Sequence, residues 1–180
     1  MLESIVNRVT WWDTHIFTAV FRLHANRNVL SACLRLISRS GNGPLYPAVA
    51  LLVCLVAPAK ASGFFTAACI AYGIELPLYK LIKNSVRRNR PCHALMGIQN
   101  LILPPDRFSF PSGHTAAAWV MTRLLGYFFP VLAPAASIWA GLVGFPRVYL
   151  GVHYPSDAFA GIALGLLRAI MPGIFIVLYF

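Results

Sequence analysis

Five apolar stretches, at residues 45–59, 61–82, 115–129, 131–144 and 158–180, take up most of the chain beyond residue 44. A soluble fold of this length would leave much of that surface in water, so the stretches belong in lipid. Composition agrees: 58% of the 180 residues are hydrophobic and 11% are charged, against roughly 45–50% and about 25% in soluble domains. The expected architecture is all-α, an integral membrane helical bundle with about five transmembrane helices, or six if part of residues 13–38 inserts. The first stretch is short for a span of ~20 residues and must borrow from its flanks or sit where the bilayer is thinned.

Residues 1–40 follow a different pattern. Arg22, His24, Arg27, Arg35 and Arg39 punctuate the apolar residues there, behind the pair Trp11–Trp12. Each such charge costs about 2.5–3.5 kcal/mol at the bilayer centre, so amphipathic helices lying in the interface are expected. Met1–Thr10 has no long apolar core and does not read as a cleavable signal peptide. Gly41-Asn42-Gly43-Pro44 then breaks the chain. The whole is read as one domain, 1–180, with interfacial helices over 1–40 and a transmembrane core over 41–180.

The formal charge is +10. Its carriers are spread among apolar runs and line no polar face, which argues against nucleic-acid binding. Glu3, Asp13, Glu75, Asp106 and Asp157 are too scattered for a two-metal carboxylate site. Glu75 lies inside an apolar stretch, a costly placement that calls for a buried donor. Cysteines 33, 54, 69 and 92 form no CxxC and no zinc spacing. No metal, cofactor or disulfide framework is expected.

One long polar connection, Lys83–Gly113, separates the second and third apolar stretches. With antiparallel neighbours, its two ends share a membrane face with Arg147, His153 and Asp157, which lie between the fourth and fifth. Ser112 stands where a helix N-cap belongs, and Gly113 lets backbone N–H groups approach an anion. His114 follows in the first turn; an ordinary cap with an interfacial histidine would look the same. Asp157, four residues after His153, is placed to orient that imidazole and leave its other nitrogen as nucleophile or base. A purely structural His–Asp pair is the alternative. Lys83 and Arg90 offer fixed positive charge suited to phosphoryl oxygens, whereas Arg87, Arg88 and Lys80 are read as membrane-surface basicity.

Taken together, Lys83 with Arg90-Pro91, Pro111-Ser112-Gly113-His114, and Arg147 with His153 and Asp157 resemble the three signature motifs of the type 2 phosphatidic acid phosphatase superfamily. The resemblance spans roughly residues 40–180. It implies a membrane lipid phosphatase that needs no metal. By motif position, Lys83, Arg90, Ser112, Gly113 and Arg147 would bind phosphate, His153 would form a phosphohistidine oriented by Asp157, and His114 would protonate the leaving oxygen. The family usually has serine before the third-motif arginine; this chain has Pro146, a departure that leaves Arg147 in place and bears on one accessory phosphate contact.

The implied substrates are polyprenyl (undecaprenyl) diphosphate, phosphatidylglycerophosphate, phosphatidic acid or lipid A phosphate, with membrane lipids as surroundings. The polyprenyl group is preferred. Transfer to a lipid hydroxyl through the same intermediate is a rival, as is a non-catalytic transporter or scaffold. Lys60, Arg123 and Arg168 fall toward one face, and the other twelve of fifteen basic residues toward the pocket. The positive-inside rule would make the pocket cytoplasmic. The resemblance implies a bacterial inner-membrane protein with a periplasm-facing site, and that orientation is preferred.

Overall fold

The computed structural model describes residues 2–23, 28–104 and 106–168. Two helices, α1 (Leu2–Arg22) and α2 (Asn28–Ser40), precede the apolar core. The core comprises α3 (Leu45–Val56), α4 (Pro58–Val86), the short α5 (Pro91–Ala94), α6 (Gly113–Phe128), α7 (Ala133–Tyr149) and α8 (Pro155–Arg168). A single 3-10 turn, Pro130–Leu132, leads into α7. The fold is all-α.

Each apolar stretch carries a helix among the described residues, and two segments, Pro58–Val86 and Pro130–Tyr149, are long and apolar enough by themselves to cross a membrane. At about 1.5 Å per residue, the 12 residues of α3 reach well short of a hydrocarbon core about 30 Å thick. Where about five transmembrane helices, or six, were expected, two helices among the described residues qualify on length and composition alone. Residues 169–180, the rest of the fifth stretch, lie outside the described residues.

Punctuation in the sequence explains the helix limits. Pro58 opens α4, where its missing N–H is no loss. That helix closes at Arg87, which adopts a left-handed conformation with φ of 51°. At the opposite end of the bundle, Lys60 Nζ donates to the Phe128 carbonyl at 2.7 Å, satisfying an orphan acceptor at the end of α6.

Two glycines on α8 set the depth of packing. A Cβ on Gly161 would stand 2.6 Å from the Ser112 carbonyl, and one on Gly165 would stand 2.6 Å from that of Ala116. Backbone therefore meets backbone, the small-residue contact that serves helices in lipid. The Ser112 N–H donates to the Asp157 carbonyl at 2.9 Å, locking the starts of α6 and α8 together. On α1, Asp13, Phe17 and Phe21 form one buried stripe at helical spacing. Phe17 and Phe21 pack with Val148 and Tyr154, seating α1 across the polar end of the bundle, while Trp11 and Trp12 face outward.

Candidate active site

Lys83, in the last turn of α4, is buried. Its Nζ lies 2.9 Å from both carboxylate oxygens of Asp106. Tyr79, one turn earlier, donates its hydroxyl to Asp106 Oδ2 at 2.7 Å. Arg90 is fully buried; its Nη2 meets Asp106 Oδ1 at 2.6 Å and its Nε donates to the Asp106 carbonyl at 3.0 Å. Burial alone would raise the Asp106 carboxyl, but hydrogen bonds from Lys83 and Tyr79 outweigh it and hold the group at about 2. Asp106 is thus a carboxylate at any working pH.

The same guanidinium reaches the third motif. Arg90 Nη1 donates to the Val152 carbonyl at 2.6 Å and lies 3.3 Å from His153 Nε2. A guanidinium has no acceptor, so Nε2 must present its lone pair and Nδ1 must carry the ring proton. Nδ1 stands 3.5 Å from Asp157 Oδ2, ion-pair range but longer than a hydrogen bond. That carboxylate is held on its other sides. Its Oδ2 accepts the Tyr154 N–H at 2.8 Å, the reciprocal half of a capping box at the start of α8. Its Oδ1 accepts Arg88 Nη1 at 2.9 Å.

Arg147, near the C-terminal end of α7, is buried and donates Nη1 to Ser38 of α2 at 2.8 Å. Its Nε is buried and has no hydrogen-bond partner among the described residues. Such an orphaned charged donor is costly unless an anion completes it. Arg147 and Arg90 both bear electrostatically on His153. Lys83, Arg147 and His153 all lie within electrostatic reach of His114.

Ser112 takes the N-cap position of α6 without a side-chain cap bond. Its Oγ pairs with Thr115 Oγ1 at 2.8 Å instead. Gly113 meets a constraint the sequence did not show: a Cβ there would stand 2.7 Å from the Tyr79 ring, which would have to shift. His114 Nε2 lies 3.0 Å from Asn42 Oδ1, in the turn before α3. His114 also walls an apolar cavity of about 460 Å³ that extends along α3 and α4 past Ala50, Phe65, Ala68 and Leu76. Buried Glu75 lines the same cavity beside Tyr46 and Tyr72.

The structure therefore gathers all eight sequence-derived residues, Lys83, Arg90, Ser112, Gly113, His114, Arg147, His153 and Asp157, at one end of the bundle. It adds Tyr79, Asp106, Ser38, Asp13 and Arg88. Arg88, read from sequence as surface basicity, instead contacts Asp157. The signal for Asp13 was present: an acid in register with Phe17 and Phe21 on an otherwise apolar stripe. Among the described residues, no three of His, Cys, Asp or Glu cluster to hold a metal.

Fold and site together define a membrane-embedded all-α protein whose polar end concentrates basic side chains around a histidine lone pair. The chain belongs to the PAP2 superfamily, whose pattern matches residues 60–177. It is 37% identical over 122 residues to decaprenylphosphoryl-5-phosphoribose phosphatase of Mycobacterium tuberculosis, covering 65% of this chain and 63% of that one. It is 35% identical over 109 residues to phosphatidylglycerophosphatase B of Bacillus subtilis, covering 54% and 51%. The chain thus matches a little under two thirds of the first relative's length and about half of the second's.

Among solved structures, it resembles the transmembrane PAP2-type phosphatidylglycerolphosphate phosphatase of Bacillus subtilis, with a TM-score of 0.77 at 26% identity. That match covers 97% of this chain and 89% of the other. LpxE of Aquifex aeolicus shares the fold, with a TM-score of 0.71 at 22% identity over 89% and 94% of the two chains.

Proposed function

We propose that this protein is a bacterial inner-membrane phosphatase that removes phosphate from a lipid headgroup. The observation that carries the reading is the lone pair of His153 Nε2, set beside Arg90 and within the field of Arg147, with its ring proton turned toward Asp157. In this mechanism Arg147, Lys83 and Arg90 hold the phosphoryl oxygens, with help from Ser112 and the Gly113 N–H. Nε2 attacks phosphorus, the bond to the lipid oxygen breaks, and His114 gives that oxygen its proton. Water then attacks the N–P bond while His114 takes back a proton, releasing phosphate and neutral His153. Charge neutralisation and positioning by fixed donors are what phosphoryl transfer chiefly requires.

The apolar cavity walled by His114 supports an amphiphilic substrate, because a chain lying there brings its headgroup to the site. Relatives named for decaprenylphosphoryl-5-phosphoribose and for phosphatidylglycerophosphate support a lipid phosphate, and the polyprenyl class is preferred. The helices at all five apolar stretches are read as crossing the bilayer, the short ones with help from their flanks, with the site facing the periplasm.

Phosphate release from a panel of purified polyprenyl, glycerophospholipid and lipid A phosphates in detergent tests this reading. Release is expected to persist in EDTA and to be inhibited competitively by vanadate, which mimics five-coordinate phosphorus. Release from no member of the panel, or loss in EDTA with recovery on adding a divalent ion, would overturn it.

Asp106 occupies two donors of Lys83 and two of Arg90, so a phosphoryl oxygen competes with it for them. Asp106→Ala removes the competing charge without setting an amide NH₂ against the Lys83, Arg90 and Tyr79 donors. KM and the vanadate inhibition constant are expected to fall by about threefold or more, on the order of a screened, part-exposed charge contact. A rise in both would show instead that Asp106 holds the cradle in shape.

A further inference from the structure

Arg88 lies just beyond the end of α4 and joins three elements. Its Nη1 donates to Ser156 Oγ at 2.7 Å and to Asp157 Oδ1 at 2.9 Å, and its Nη2 donates to Asp13 Oδ2 at 2.7 Å. The guanidinium also lies 4.1 Å from the centre of the Tyr154 ring. Asp13 in turn accepts the Ser156 N–H at 2.9 Å and the Ser156 hydroxyl. A carboxylate on α1 therefore satisfies an orphan donor in the first turn of α8, where the helix dipole favours negative charge.

We propose that Arg88 is a positioning residue for the His153–Asp157 pair and that Asp13 is its anchor, which makes the N-terminal helix part of the active site. The proposal rests on the reading of His153 as nucleophile. It reaches beyond the family pattern, which begins at residue 60, well after Asp13.

Asp13 is only 4% exposed, and a carboxylate is withdrawn from water at that cost only when charged partners hold it. Asp157 is fully buried, and apart from His153 its side chain is held by Arg88 on Oδ1 and the Tyr154 N–H on Oδ2. Together these grips set the direction in which Oδ2 faces His153 Nδ1. Without Arg88 the carboxylate could rotate, and its charge would act on the imidazole uncompensated. Orienting partners of this kind control a reactive side chain without touching the substrate.

The charged groups facing His153 are Arg90 after α4, Arg147 of α7 and Asp157 of α8, with His114 of α6 within electrostatic reach. Arg88 and Asp13 stand behind Asp157. Removing Arg88 leaves a more strongly negative carboxylate beside the ring, so the imidazolium becomes easier to form.

The test uses the full chain in detergent, with radiophosphate-labelled phosphatidic acid and polyprenyl phosphate as probes. It reads kcat, KM, the acid limb of kcat/KM and alkali-stable phosphoenzyme. Arg88→Ala is expected to lower kcat about 10–100-fold, as loss of an orienting partner does, with KM within about threefold. Its acid limb should move up toward the ordinary imidazole range.

Arg88→Lys keeps the charge but cannot hold Asp157 and Asp13 together, and Asp13→Asn loses the anchor. Both should lower kcat in the same direction, and they carry the test if Arg88→Ala does not fold. Arg87→Gln, an equal charge loss on the adjacent exposed residue, should leave kcat within about twofold, as surface substitutions do. Parental kcat and acid limb in all three Arg88 and Asp13 variants, or an equal loss in Arg87→Gln, would overturn the proposal. A parent that forms no phosphoenzyme would instead remove the role of His153, and this proposal with it.

Discussion

His153→Ala is expected to lower phosphate release by at least about 10⁴-fold and to abolish the alkali-stable phosphoenzyme, with substrate binding little changed. Arg90 stays anchored in that variant, because its bonds to Val152 and Asp106 do not involve the imidazole. The cradle would persist without its nucleophile. The pH profile of the parent offers an independent check. Burial, reinforced by Arg147 and Arg90 and opposed by Asp157, lowers His153 from an ordinary 6.5 to about 4. Attack needs the neutral ring, and a lowered value keeps the ring neutral further into acid. The acid limb of kcat/KM assigned to this group is therefore expected near pH 4. Turnover by His153→Ala within tenfold of the parent would remove the proposed intermediate altogether.

The site was legible in the sequence to the extent that polar residues sat at the edges of apolar runs. Lys83, Ser112, His114, Arg147 and Asp157 each mark such an edge, and antiparallel packing collects those edges at one end. Asp106 escaped because nothing in a long polar connection distinguishes the residue that folds back onto Lys83. Arg87 and Arg88 are indistinguishable as letters. The left-handed turn at Arg87 separates them, leaving Arg87 exposed and bonded to the nearby Asn84 carbonyl while Arg88 turns inward to Asp157.

Gly113 was found for its backbone freedom, yet the tighter constraint is the Tyr79 ring packed against it. The N-terminal helices were legible as amphipathic. Their catalytic-side contacts were not: the apolar stripe marks Asp13 as buried, but its partner Arg88, like Arg147 for Ser38, lies far along the chain. Helix lengths were the least legible feature: an apolar run shows where a helix lies, while cap and turn geometry decides how much of it is helical.

Asp157→Asn is the second large effect, and it follows from counting donors. Oδ1 of Asp157 faces Arg88 and Oδ2 faces the Tyr154 N–H, so both oxygens already meet donors. An amide in this place must turn its NH₂ toward one of them. Turned toward Arg88, it sets donor against donor and breaks the link to Asp13. Turned toward Tyr154, it sets a donor against that N–H and against His153 Nδ1, which drives the ring proton to Nε2. The proton would then face Arg90 Nη1 at the distance of 3.3 Å where a lone pair now sits, and no nucleophile would remain. In either orientation the negative charge that balances a phosphorylated imidazolium is gone.

The expected loss in kcat is about 10³–10⁴-fold, the scale set by placing a catalytic histidine in the wrong tautomer. KM should stay within about threefold, because Asp157 touches no phosphoryl oxygen in this mechanism. A variant that lost binding and kept kcat would place Asp157 in the phosphate cradle and leave His153 without the partner that defines its reactive nitrogen.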